Sequence, residues 1–103
     1  MNQRIDVNEA CSELDRPYEF AKLCSLLANG NRARLAFEIV DRERTVGDLA
    51  RLAGLSHSAT SQHLKILRAA SAIKVRKDGL NVYCTISSEP FKSLIKYALN
   101  EPA

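Results

Sequence analysis

Thr45–Arg68 reads TVGDLARLAGLSHSATSQHLKILR, and its spacing decides the fold. Thr45-Val46-Gly47-Asp48 is close to a capping box, with Asp48 where Glu is usual, so a helix opens at Thr45. Val46, Leu49, Ala50, Leu52 and Ala53 give that helix its apolar side, and Gly54 stops it after about two turns. Leu55 is an apolar pin, and Ser56 caps a second helix that runs to about Ala70. Two helices hinged at Gly54-Leu55, with the small Ala50 where they cross, have helix-turn-helix spacing.

The second helix has two unlike sides. Thr60, Leu64 and Leu67 fall at i, i+4 and i+7, flanked by Ala59, His63, Ile66 and Ala70, and form the inner side. Ser58, Ser61, Gln62 and Lys65 fall on the opposite side, with His57 in the exposed first turn. That outer stripe carries no acid, which phosphate would repel. Small hydroxyls can approach base edges closely, and a glutamine can bond adenine N6 and N7 together. The stripe suits a recognition helix in a major groove. A solvated face that happens to be rich in Ser and Gln is the bland reading. His63 reads as a packed, hydrogen-bonded histidine of the inner flank. His57 and His63 stand about 240° apart around the helix and cannot share a metal.

Beyond Ser71 the apolar period changes to two. Ile73 and Val75 alternate with Lys74 and Arg76, Lys77-Asp78-Gly79 supplies a turn, and Val82, Cys84 and Ile86 alternate with Asn81, Tyr83 and Thr85. A hairpin directly after a helix-turn-helix is the wing of a winged helix, and the two in this order are a strong signal. Arg68, Lys74, Arg76 and Lys77 place cations where phosphate contacts would position the domain. On that reading, loss of Arg76 weakens binding to all sequences alike. Arg32 and Arg34 join them or pair instead with Asp41 or Glu38. Ser87 or Ser88, with Glu89-Pro90, starts a last helix carrying Phe91, Leu94, Ile95, Ala98 and Leu99 on one stripe.

Upstream, Asn29-Gly30-Asn31 separates two further helices, with Asn31 able to cap the second, which reaches about Val40. Asp15-Arg16-Pro17 reads as the start of the first, leaving residues 1–14 as a tail and 15–103 as the domain. Between Pro17 and Ala28 the apolar residues spread too widely for one stripe, which suggests a subunit interface. The predicted order is ααααββα: mainly α with a small β-hairpin.

The bulk properties agree with that outline. At 103 residues the chain is expected to be one domain, or one domain plus short tails, and 46% hydrophobic with 26% charged residues is ordinary globular composition. No apolar run approaches the ~20 residues of a membrane span, and the first residues lack the apolar core of a secretory signal, so a cytoplasmic protein is expected. A net charge of +3 permits a polyanionic partner without demanding one. Cys11, Cys24 and Cys84 are an odd number with no CxxC pair and read as free thiols. No cysteine has a neighbouring histidine or basic cluster to activate it, which argues against a thiol enzyme.

With these residues in hand the chain resembles the ArsR/SmtB repressors over roughly residues 18 to 99. The likeness rests on Leu27-Ala28-Asn29-Gly30-Asn31-Arg32-Ala33-Arg34-Leu35, Thr45–Ala50, Leu55–Arg68 and Val82–Ile86, and is greatest to the HlyU/NolR/BigR-like branch. It implies a homodimeric winged-helix regulator that occludes a promoter at a palindromic operator in double-stranded DNA. Ser56, His57, Ser58, Ser61, Gln62 and Lys65 would be the recognition residues. The first and last helices would form the dimer, through Tyr18, Ala21, Cys24, Leu27, Phe91, Leu94, Ile95 and Ala98. The usual sensing positions depart from the pattern. Thr45–Asp48 and Ala36-Phe37-Glu38 hold no cysteine, and Glu89–Ala103 holds no His or Asp, so neither metal nor cofactor is expected. Cys11 with Cys24, or Cys24 with its dimer mate, is the candidate oxidant-responsive pair. The rivals are a winged helix that binds proteins without specific DNA binding, and an activator that displaces a silencing protein.

Overall fold

The computed structural model describes residues 7–100, with side chains from residue 16 onward. Its first helix, α1 (Val7–Leu26), begins well before the expected start at Asp15 and runs through Pro17. Asp-Arg-Pro looks like a helix start because proline has no N–H to lose there. Inside a helix the same proline forfeits one bond to the carbonyl four residues back. Here good helix formers on either side, Glu9-Ala10 before and Glu19 to Leu26 after, carry the helix across that gap. The boundary read at residue 14 therefore falls within α1. Cys11 lies outside the described side chains, and with it the Cys11–Cys24 pairing.

Helix α2 (Gly30–Ile39) is capped by Asn29 rather than by Asn31. The Asn29 side-chain oxygen accepts the Arg32 N–H at 3.0 Å from an extended backbone, so the turn tightens two residues earlier than expected. Its apolar side sinks Leu35, Ala36 and Ile39 into the core.

Strand β1 (Arg44–Thr45) had no sequence signal, being too short to show a period of two. It pairs antiparallel with β3 (Asn81–Ile86), which pairs in turn with β2 (Ile73–Asp78), giving a three-stranded sheet in the order β1-β3-β2. The expected hairpin is thus present with one more strand beside it. Its register sets Val75 opposite Cys84 and Lys77 opposite Val82. Gly79, at φ +64°, and Leu80 make the turn, one residue beyond the expected Lys77-Asp78-Gly79.

The helix-turn-helix forms as its punctuation requires. Thr45 Oγ1 accepts the Asp48 N–H at 3.0 Å and opens α3 (Val46–Ala53). Gly54 closes it in the left-handed region at φ +68°, which any side chain would strain, and Leu55 N–H reaches back to Ala50 O at 2.9 Å. Helix α4 (His57–Ala69) then lays Thr60, Leu64 and Leu67 on the core. Fully burying an aliphatic side chain such as Leu67 contributes about 1.5–3 kcal/mol. The buried Thr60 hydroxyl is satisfied within the helix, donating to Ser56 O at 2.9 Å. Ile66, expected on the inner flank, is 45% exposed because it lies about a third of a turn from the buried centre.

Helix α5 (Glu89–Asn100) starts at Ser88, whose Oγ accepts the Phe91 N–H at 3.2 Å. Phe91 and Ile95, expected at a dimer interface, are fully enclosed in the chain's own core with Leu35, Ile39 and Cys84. Being four residues apart they share the helix side that caps this core, so neither is free to meet a partner. Tyr97, Ala98 and Leu99 are exposed, as are Tyr18, Phe20, Ala21 and Cys24 on α1, while Leu27 and Leu94 are partly covered.

Candidate nucleic-acid interface

The outer stripe of α4 is free of the fold. Ser56, His57, Ser58, Ser61, Gln62 and Lys65 are all exposed, and no acid stands in the first turn. Ser56 serves the helix as well as the surface, since its Oγ accepts the Ala59 N–H at 3.0 Å. The remaining first-turn N–H groups have no intrahelical acceptor and point out of the positive end of the helix dipole, a favourable setting for phosphate. The stripe and the wing face each other across two adjoining clefts. One of about 200 Å³ is lined by Ser61, Lys65, Arg68, Val75 and Val82. The other, about 410 Å³, is lined by Gly47, His57, Ser61, Leu80 and Asn81.

The cations around the stripe divide into two groups. Lys65, Arg68, Lys74 and Lys77 are exposed, and among the described residues none is in ion-pair contact with a carboxylate. Arg76 and Arg32 are committed elsewhere. Glu43 takes the Arg76 guanidinium in a two-bond fork, Nε at 3.0 Å and Nη2 at 2.8 Å, and Asp78 stands 3.7 Å from Nη1. Arg76 therefore presents no free charge, contrary to its expected role. Arg32 Nε donates to Leu26 O at 3.0 Å, tying α2 to the end of α1. Arg34 pairs with Glu38, one of the two partners foreseen, and also donates to Leu52 O at 3.0 Å.

His63 is half-buried as expected, but its Nδ1 is enclosed without a hydrogen-bond partner, so only the packing half of its expected role is met. Cys84 is buried and its thiol is pushed up to about 11 by desolvation, against the smaller opposing pull of Arg68. Cys24 is exposed on α1. Among the described residues no three His, Cys, Asp or Glu side chains gather as a metal-binding group, and no helix is long and apolar enough to cross a membrane.

Glu43 and Tyr83, which hold Arg76, are contacts that the sequence reading missed. Glu43 stands in the charged link Asp41–Arg44 and meets a partner 33 positions away, for which no local signal exists. Tyr83 had one usable signal: once the hairpin register is drawn, it lies directly opposite Arg76.

The sequence model described as "Bacterial regulatory protein, arsR family" matches residues 29–71, which hold α2, the helix-turn-helix and nothing of the wing. The nodulation protein NolR of Rhizobium meliloti is 41% identical over 69 residues, covering 67% of this chain and 57% of NolR, so the aligned part spans little more than half of that relative. The transcriptional repressor SmtB homolog of Synechocystis is 32% identical over 96 residues, covering 93% of this chain and 73% of the relative. The transcriptional activator HlyU of Vibrio cholerae is 36% identical over 74 residues, 72% of this chain and 68% of HlyU. The solved structure of reduced HlyU superposes with a TM-score of 0.81 at 30% identity, covering 88% of this chain and 98% of HlyU. That coverage extends the likeness past the helix-turn-helix into the wing and the terminal helices.

Proposed function

This chain belongs to the arsR family of bacterial regulatory proteins, and from that membership we propose that it is a sequence-specific repressor acting as a homodimer on a palindromic operator. Its relatives are transcriptional regulators, not enzymes. The observation that carries the reading is the exposed, acid-free edge of α4 beside three cations, Lys65, Arg68 and Lys77, that are in no ion pair among the described residues.

Each α4 enters a major groove. Gln62 makes the paired contact to an adenine, while Ser58 and Ser61 approach neighbouring base edges. Lys65, Arg68 and Lys77 meet phosphates and set the register, and the first turn at Ser56 and His57 meets the backbone. A second copy covers the apolar surface left on α1 and α5, using Tyr18, Ala21, Cys24, Leu27, Leu94 and Ala98. The pair of α4 helices then reads half-sites about 10 bp apart, in the cytoplasm where the promoter is. Occupancy of the promoter excludes the polymerase.

Selection of bound duplexes from random DNA tests this reading. Enrichment of an inverted repeat at that spacing is the expected result. Failure to enrich any sequence, with partner capture insensitive to salt, would favour a protein-binding winged helix instead. The sign of regulation has a specific rival, because HlyU is a transcriptional activator. Transcription by purified polymerase on the selected site separates the two: repression lowers it directly, whereas an activator that displaces a silencing protein leaves it unchanged until that silencer is added.

A further inference from the structure

Side chains alternate along β2. Val75 lines the cleft it shares with Ser61 and Lys65, so Ile73, Val75 and Lys77 lie on the face toward α4, and Lys74, Arg76 and Asp78 lie on the other. On that outer face Arg76 is held from three directions. Glu43 grips it by two hydrogen bonds of 3.0 and 2.8 Å. Tyr83, its antiparallel partner, lies beneath it with the ring centroid 4.5 Å away. Asp78 adds a contact at 3.7 Å. Arg76, with its bond first and its charge after, holds the Glu43 carboxyl below the usual carboxylate range, and Lys74 contributes to the same effect. At neutral pH the outer face of the wing thus sets two cations, Lys74 and Arg76, against two carboxylates, Glu43 and Asp78.

We propose that Glu43 is a specificity-determining residue for DNA binding, acting by keeping Arg76 from the phosphate backbone. The inference rests on the DNA-binding reading above. To reach a phosphate, Arg76 must give up a charge-assisted fork of about the same quality as the one it would gain. It would also leave Glu43 bare beside the nucleic acid. Sequence-blind attraction then draws nothing from Arg76 and falls chiefly to the cations on the α4 side, and the contacts of α4 with base edges decide where the protein stays. A wing with Arg76 released would hold any duplex more strongly and discriminate less.

The test is Glu43→Gln, which keeps the shape and removes the charge, with Arg76→Ala alone and in combination. Affinity is measured by fluorescence anisotropy for the selected operator and a scrambled duplex, between about 50 and 200 mM salt. Glu43→Gln should bind the scrambled duplex roughly fivefold tighter at the low end, with a salt slope steeper by about 0.9, and the operator-to-scrambled ratio should fall. Arg76→Ala, which leaves Glu43 bare, should weaken both duplexes modestly without lowering the salt slope, and in combination it should cancel the gain of Glu43→Gln. The proposal is overturned if Arg76→Ala alone lowers the slope by about one, since Arg76 would then already sit on a phosphate. It is equally overturned if Glu43→Gln and Glu43→Ala, both with an unchanged thermal transition, bind like the parent protein. If the parent protein enriches no operator at all, the failure belongs to the DNA-binding reading and not to Glu43.

Discussion

Gln62 and Lys65 stand three residues apart on one exposed edge of α4, yet their loss should be felt differently. On the proposed reading Gln62→Ala loses a paired contact to one base, so it should cost about 1–3 kcal/mol on the operator and flatten the preference at that position alone. Lys65→Ala, on the same reading, loses a phosphate contact, so it should weaken operator and scrambled duplex alike and reduce the salt slope by about 0.9. Anisotropy titrations on operators varied one base at a time distinguish the two, and equal losses for Gln62→Ala on every duplex would remove it from the base-reading set. The cysteines differ by the same kind of local argument. Cys84 is buried with its thiol raised to about 11, whereas Cys24 is exposed. Alkylation at about pH 8 should therefore spare Cys84 until the protein unfolds, and should label Cys24 in a monomeric variant, where no second copy covers α1. A raised thiol also binds its proton more tightly in the folded state than in the unfolded one. Its contribution is therefore complete below the ordinary value of 9.0 and is lost as pH rises from there through about 11, by at most about 3 kcal/mol. An alkaline unfolding series on Cys84→Ala should show a shallower decline over that window.

At the scale of elements, the parts legible in the sequence were those specified by neighbours. Thr45, Gly54 and Ser56 punctuate α3 and α4, and each cap uses a partner within four residues, so the helix-turn-helix could be read almost to the residue. The hairpin was legible for the same reason, through its period of two and Gly79. What escaped depends on residues far apart. Strand β1 exists only because β3 returns beside it, and Phe91 and Ile95 belong to the core only because α5 folds back over α2 and the sheet. The α1 start at Val7 was hidden by a proline whose local meaning was overridden by the helix formers around it. The candidate site followed the same division. The α4 stripe was readable from a single helix, but the partners of Arg32 and Arg76 were not, because Leu26 O and Glu43 come from other elements. Local punctuation makes a sharp prediction at Gly54. A Cβ there meets nothing within 4 Å, so Gly54→Ala acts through the φ of +68° alone and should destabilise by about 1–2 kcal/mol. Gly54→Asn should cost less, because asparagine tolerates the left-handed region better. Denaturant unfolding would measure both, and an alanine as stable as glycine would mean that the hinge relaxes.

For the molecule as a whole, the shape itself argues for a second copy. The radius of gyration is 16.1 Å, against about 13 Å for a compact domain of this length, and the extents of 54 × 36 × 20 Å describe a body drawn out along one axis. Tyr18, Phe20, Tyr97 and Leu99 stay 77, 57, 70 and 49% exposed on α1 and α5, more large apolar surface than a monomer ordinarily leaves in water. A two-fold partner laid on these helices buries that surface and fixes the distance between the two α4 helices, so assembly and operator spacing are one geometric property. Sedimentation should accordingly give twice the chain mass of 11.4 kDa. Tyr97→Asp places a charge in that contact without touching α4 or the wing, and it should shift the species to a monomer. A monomer reads only one half-site. Its affinity for the full operator should fall to that for a half-site duplex, while each α4 still prefers the same bases. Lengthening the spacer by about 5 bp should harm the parent protein severely, because it turns one half-site to the opposite side of the duplex, and should leave the monomeric variant indifferent. If the parent protein tolerated that insertion, the two helices would not be rigidly coupled and the dimer geometry argued from α1 and α5 would be wrong.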